Sequence, residues 1–234
     1  MGKVKIIIIS GASVGIGRFL TESYLKKGHI VIGCSRSGSD LAHACYEHFS
    51  LDVSDEAAVK KMVSIIAKKY GRINVLINNA GISSMNHSML TPLSNVERIF
   101  KTNVFGTFIF CREVAKIMAR NKHGRIVNFT SIGVPFRLEG ESAYLASKSA
   151  IEMLTKILAK EYANLNITIN AVGPAAVETN LIKNVPENKI KDILDKQALH
   201  RFARPEEVLN VVDFFINDKS DMISGQTIYL GGIS

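Results

Sequence analysis

Val4-Lys5-Ile6-Ile7-Ile8-Ile9-Ser10-Gly11-Ala12-Ser13-Val14-Gly15-Ile16-Gly17 is the stretch whose reading decides the fold. The apolar, β-branched run is far too short to cross a membrane, and Ser10-Gly11 ends it without a cleavable-signal pattern. It reads as a strand buried on both faces. A helical pattern opens at Gly15, so the glycines fall between a strand and a helix. There they let backbone amides at a helix N-terminus approach an anion without side-chain obstruction. A glycine trio alone is as often a plain tight turn; its position gives it weight. Gly11, Ser13, Gly15, Ile16 and Gly17 are therefore candidate contacts for a phosphorylated cofactor.

Outward from this unit, short β-branched runs alternate with longer helical patterns to the end of the chain. Strands are expected over residues 4–9, 29–34, 48–53, 73–78, 124–130, 166–171 and 226–230. Helices are expected over 15–27, 55–70, 92–121, 142–164, 186–196 and 205–217, several opened by Pro or by Asp, Ser or Thr caps. Residues 35–47 are too few for a helix between two loops, so that crossover is expected to be a loop or a single turn. The alternation predicts an α/β architecture, a doubly wound parallel sheet covered by helices. With 234 residues and no linker-like composition shift, the expectation is one domain spanning residues 1–234.

Composition narrows the function classes. Hydrophobic residues at 47% and charged residues at 21% exclude a disordered or collagen-like chain. Cys34, Cys45 and Cys111 suggest neither a disulfide framework nor a metal site, which fits a reducing cytoplasm. The net charge of +8 favours anionic partners. The basic residues are dispersed and Trp is absent, with no nucleic-acid recognition motif, so a nucleic-acid binder ranks last; neither nucleic acid nor a membrane is expected as a partner.

Four further signals carry chemistry. After the second expected strand the chain reads Ser35-Arg36-Ser37, offering a guanidinium for a 2′-phosphate where NAD enzymes usually place a carboxylate. This favours NADP(H), the alternative being an ordinary solvated arginine. Tyr144 and Lys148 share a helix face at i, i+4 spacing. A tyrosine titrates near ~10, and a neighbouring ammonium stabilises its phenolate. Such a pair also occurs as an exposed helical pair. Ser131 ends the fifth expected strand, and Asn79, Ala80 and Gly81 follow the fourth, on the sheet edge where such folds bind ligands. Asn103 sits inside an expected helix, where it either faces solvent or distorts the helix at a site.

Together the glycine loop, Asn-Asn-Ala-Gly, Asn103, Ser131 and Tyr144-x-x-x-Lys148 resemble the short-chain dehydrogenase/reductase family over nearly the whole chain. The resemblance implies a single Rossmann-type domain with a seven-stranded parallel sheet. It implies Tyr144 as catalytic acid/base, Ser131 as the carbonyl-orienting hydroxyl, Lys148 on the nicotinamide ribose and tuning Tyr144, and Asn103 completing a proton relay. It further implies adenine contacts from Asp52 and Val53, and nicotinamide contacts from residues 174–179, including Pro174, Val177 and Thr179. Ala175 stands where the family commonly has Gly, placing a methyl in a bend that prefers glycine conformations. Leu230 replaces the usual acidic residue before Gly231-Gly232.

Within the family the chain is nearest in look to 3-oxoacyl-[acyl-carrier-protein] reductases, through Arg201–Val208 and Ser224–Thr227. The substrate implied is a small-molecule or thioester carbonyl, with an acyl carrier protein as a candidate partner. Lys122 fits one basic docking position flanking the site, and Leu165 stands where a second is expected, so carrier-independent activity is expected. Sugar, polyol and other small-carbonyl reductases stay open, as does a nucleotide sensor on a retired enzyme fold, though no catalytic residue is missing. The family's helices matching 92–121 and 142–164 build a dimer interface within a tetramer, so a homodimer or homotetramer is expected.

Overall fold

The isoleucines of β1 (Ile6–Ser10) divide between two cores: Ile6 and Ile8 enter one, Ile7 and Ile9 the other. This follows from the two-residue period of a strand covered on both faces. Each fully buried isoleucine contributes about 1.5–3 kcal/mol. β1 is an interior strand of a seven-stranded sheet, completed by β2 (Ile30–Ser35), β3 (Tyr46–Ser50), β4 (Val75–Asn78), β5 (Gly124–Phe129), β6 (Ile167–Gly173) and β7 (Thr227–Tyr229). The computed structural model describes residues 3–177 and 187–232.

Strand order is β3-β2-β1-β4-β5-β6-β7, every pair parallel. The order reverses between β1 and β4, which opens a crevice at the carboxyl ends of the strands. α2 (Glu56–Tyr70), α4 (Gly106–Arg120) and α6 (Ser142–Glu161) cover one face through Val59, Met62, Phe110, Val114 and Leu158. α1 (Gly15–Lys26) and α8 (Pro205–Ile216) cover the other through Leu20, Tyr24, Val208, Val212 and Phe215. This is a single doubly wound Rossmann-type domain. Among the described residues no helix is long and apolar enough to cross a membrane.

Residues 36–45 form a loop, as their length requires, and an Arg18–Asp40 ion pair ties it to α1. The third strand departs from expectation: it covers Tyr46–Ser50 rather than 48–53, leaving Leu51, Asp52 and Val53 beyond its end. As an edge strand half open to solvent it has a polar composition, and the apolar Leu51 and Val53 misplace it. The helix expected over 92–121 is divided into α3 (Leu93–Phe100), a π-helical turn (Lys101–Phe105) and α4. The short α5 (Gly133–Phe136) was not expected. α7 (Glu187–Lys196) matches the helix expected over 186–196, whose first residue lies outside the described residues.

Candidate functional site

At the end of β1 the chain turns through Gly11, φ 68°. Asn79 Nδ2 donates to the carbonyls of Ser10 and Gly11 at 3.1 Å each, and the Ala80 amide donates to Ser10 Oγ at 3.1 Å. The Asn-Asn-Ala-Gly segment thus clamps the glycine loop. A side chain on Gly11 would meet Ala80 Cα at 2.9 Å. Val14, at the cap position of α1, makes no side-chain capping bond, and the first turn holds no acid. The free amides there keep their capacity for an anion. Gly17 works differently from expectation. It does not line the cavity; its bare Cα, where a Cβ would stand 2.1 Å from the Gly11 carbonyl oxygen, lets α1 pack on the loop.

A cavity of about 520 Å³ runs along this sheet edge. Gly11, Ser13, Gly15, Ile16, Ser35, Arg36, Asp52, Val53, Asn79, Ala80, Gly81, Ser131, Tyr144, Lys148, Pro174 and Val177 all line it. Thr179 lies outside the described residues. The bare glycine turn, the open helix amides and a cavity lined by both Arg36 and Tyr144 fit a dinucleotide.

At the adenine end Arg36 is exposed. Asp52 accepts bonds from the Ser54 amide and hydroxyl at 2.8 and 2.7 Å; these, with Arg36 nearby, hold its carboxyl below the usual range. Sequence reasoning missed His48. Its Nε2 lies 2.9 Å from Ser35 Oγ and 3.1 Å from the Ser37 carbonyl, and its Nδ1 2.7 Å from Tyr46 Oη. A carbonyl only accepts, so Nε2 carries the proton and Nδ1 accepts from Tyr46. Burial lowers the ring's pKa, in keeping with this neutral form.

At the other end Ser131 Oγ accepts from the Gly133 amide at 3.1 Å. Tyr144 and Lys148 are buried on α6. Lys148 Nζ donates to the Phe129 carbonyl at 2.8 Å and lies 5.8 Å from the Tyr144 ring centroid. Burial raises the Tyr144 phenol to about 12, against the lowering effect of its hydrogen bond with Ser131. Burial also lowers the Lys148 ammonium to about 8. Burial is the leading influence on both groups in this arrangement.

Asn103 sits in the π-helical turn behind the cavity wall, 1% exposed. Its Oδ1 accepts from the Ile82 amide at 2.9 Å; its Nδ2 donates to the Ile82 carbonyl at 3.0 Å and Ser147 Oγ at 2.9 Å. Ser147 Oγ in turn donates to the Tyr144 carbonyl at 2.6 Å. Asn103 thereby fixes the turn of α6 that carries the tyrosine. A Cβ on Gly81 would stand 3.3 Å from Lys148 Nζ and 3.4 Å from Asn103 Oδ1, a close fit that glycine relieves. Ala175 corrects another expectation: it adopts no left-handed φ, and its methyl fits against the bare Gly231. Ile132, Leu138 and Glu141 also line the cavity, without any sequence spacing that marks them.

A doubly wound sheet carrying a serine, a tyrosine and a lysine beside a dinucleotide-sized cleft defines a nicotinamide-dependent oxidoreductase. The chain belongs to the short chain dehydrogenase family, whose pattern it matches over residues 5–190. It is 33% identical over 97% of its length to 3-oxoacyl-[acyl-carrier-protein] reductase of Thermotoga maritima, covering 96% of that protein. It is 30% identical to the Escherichia coli enzyme of the same name, with the same shares covered. Among solved structures, aldohexose dehydrogenase of Thermoplasma acidophilum superposes with a TM-score of 0.90 at 33% identity, over 98% of this chain and 94% of that one. A 4-hydroxyisoleucine dehydrogenase complexed with NADH gives 0.87 at 27% identity, covering 97% of each chain.

Proposed function

We propose that the chain is an NADPH-dependent reductase of 3-oxoacyl reductase type that converts a carbonyl to an alcohol on free small ketones or short thioesters. The observation that carries this reading is the convergence of Ser131, Tyr144 and Lys148 on one end of a cleft whose other end offers Arg36. The nicotinamide supplies hydride to the carbonyl carbon when bound. Ser131 orients the carbonyl oxygen, the Tyr144 phenol gives it a proton, and the Lys148 ammonium stabilises the phenolate that remains. Gly11, Ser13, Gly15, Ile16, Asn79, Ala80, Gly81, Pro174 and Val177 hold the cofactor along the cleft, with Thr179 assigned to its nicotinamide end. The test is to mix protein and NADPH with 3-ketoacyl thioesters, diketones and keto-sugars and follow the nicotinamide absorbance. Absence of turnover with intact NADPH binding overturns the reading in favour of a nucleotide sensor.

The preference for NADPH rests on Arg36 and on the absence of a carboxylate in Ser35-Arg36-Ser37. Arg36→Ala should cost NADPH about 1.5–3 kcal/mol, roughly ten- to a hundredfold in affinity, and spare NADH. Equal losses for both cofactors refute the assignment. We further place the protein in the cytoplasm as a homodimer or homotetramer. Buried, unpaired Cys34 and Cys111 support the first. The exposed Phe105, Phe108, Met153 and Ile157 around α4 and α6 support the second.

A further inference from the structure

Around Ser131 and Tyr144 the cavity wall is largely apolar, with Ile82, Ile132 and Leu138 on it. Among the described residues lining the cavity, the ionisable side chains are Arg36 and Asp52 at the adenine end, the Tyr144 and Lys148 pair, and Glu141. The first four have roles in the reading above. Glu141 does not.

Glu141 occupies the cap position of α6, where shorter acceptors such as Asp or Ser take an amide of the helix. It makes no such bond. Its carboxyl has no hydrogen-bond or ion-pair partner among the described residues. It is half-buried, and burial raises its pKa. Its charge also reaches the Tyr144 phenol and raises it. Among the described residues Glu141 neither caps its helix nor meets a base, so on the cavity wall its carboxylate keeps its capacity to accept from a group that enters.

We propose that Glu141 is a specificity-determining residue that accepts a hydrogen bond from a donor on the substrate, so that the enzyme selects carbonyl compounds bearing a hydroxyl or ammonium over plain ketones and unsubstituted acyl chains. The inference rests on the carbonyl-reduction reading and deepens it. Its effect reaches the proton transfer as well as binding. When Tyr144 gives its proton to the carbonyl oxygen, a phenolate forms within reach of the Glu141 carboxylate, and like charges oppose each other. A substrate donor bonded to that carboxylate draws its charge away and eases the step. The substrate donor thus raises kcat together with affinity.

The experiment compares three ketones of equal chain length, one plain, one with a β-hydroxyl and one with a β-ammonium, on the parent enzyme, Glu141→Gln and Glu141→Leu with NADPH. The parent should favour at least one donor-bearing ketone by roughly tenfold or more in kcat/KM. Glu141→Leu should abolish that preference by slowing the donor-bearing ketone and not the plain one, with NADPH affinity unchanged. The amide oxygen of Glu141→Gln still accepts from a hydroxyl, so this variant keeps a hydroxyl preference and loses an ammonium preference, which identifies the donor. Equal turnover of all three ketones by the parent overturns the inference while leaving carbonyl reduction standing. Uniform loss on all three in both variants overturns it also, as the mark of a structural role. If the parent binds NADPH and reduces none of them, the underlying reading falls and the inference with it.

Discussion

Burial lowers Lys148 to about 8 and raises Tyr144 to about 12, so over the neutral range the lysine is the group that titrates. The phenol stays protonated there, ready to donate; the charge that must receive its phenolate disappears as pH rises through the lysine's pKa. For reduction, kcat/KM should therefore fall as pH rises through about 8, since this parameter reports the free enzyme's groups. Lys148→Arg keeps a cation that titrates above ~12 and should flatten this limb at a reduced rate. An unchanged limb in that variant would assign it to another group. Tyr144→Phe removes only the hydroxyl from a ring that remains packed, so turnover should vanish with NADPH binding nearly intact. Residual turnover within roughly tenfold of the parent would sink the acid role. The pair and Ser131 were legible because their spacing is fixed by one helix face and one strand end. Glu141 and His48 were not: no sequence spacing marks Glu141 as lining the cavity, and the contacts of His48 are made across elements, from β3 back to Ser35 and Ser37.

Among the elements, the division of the long helix between α3 and α4 is the feature tied most closely to the site. Asn103 was legible as an anomaly in a helical pattern; the π-helical turn was not, since neither Pro nor a glycine pair marks it. Two contacts make it intelligible. Asn103 is held to Ile82 and Ser147, and Gly106 lets α4 approach the loop after β3, where a Cβ would stand 2.7 Å from Val53 Cγ2. The same approach explains why Asp52 and Val53 belong to a loop at the cavity and not to β3. Asn103→Leu would leave the half-buried Ile82 amide and carbonyl without their partner, each unsatisfied group costing about 1–3 kcal/mol, and would take one of its two hydrogen bonds from the Ser147 hydroxyl. The urea midpoint should fall with the slope unchanged. Activity in the absence of urea should drop with it, because the Tyr144 turn loses its anchor. A variant with full stability and activity would show that the turn holds itself.

On the scale of the whole molecule, strand polarity separates the cavity from the basic position expected to serve a carrier protein. Gly124 pairs with Ile167 at the starts of β5 and β6, so Lys122 and Leu165 lie at the amino edge of the sheet while the cavity lies at the carboxyl edge. This corrects the expectation that they flank the site. With six residues in β5 and ~3.3 Å per residue, the two edges are about 20 Å apart. Leu165 packs against the core under α4 and α6, an apolar contact where a second base was expected. A carrier held at Lys122 therefore addresses the wrong edge of its own chain, without the second base expected at Leu165. Free short thioesters should then be reduced with kcat/KM within roughly tenfold of their carrier-linked equivalents, because an incomplete docking patch speeds encounter more than it stabilises the complex. Lys122→Glu should leave the free substrate unaffected and slow the carrier-linked one only at low salt, where steering acts over long range. A hundredfold preference for the carrier-linked substrate at physiological salt, abolished by Lys122→Glu, would reverse this conclusion: the carrier would then be docking on one subunit and delivering its thioester to the carboxyl edge of a neighbouring copy.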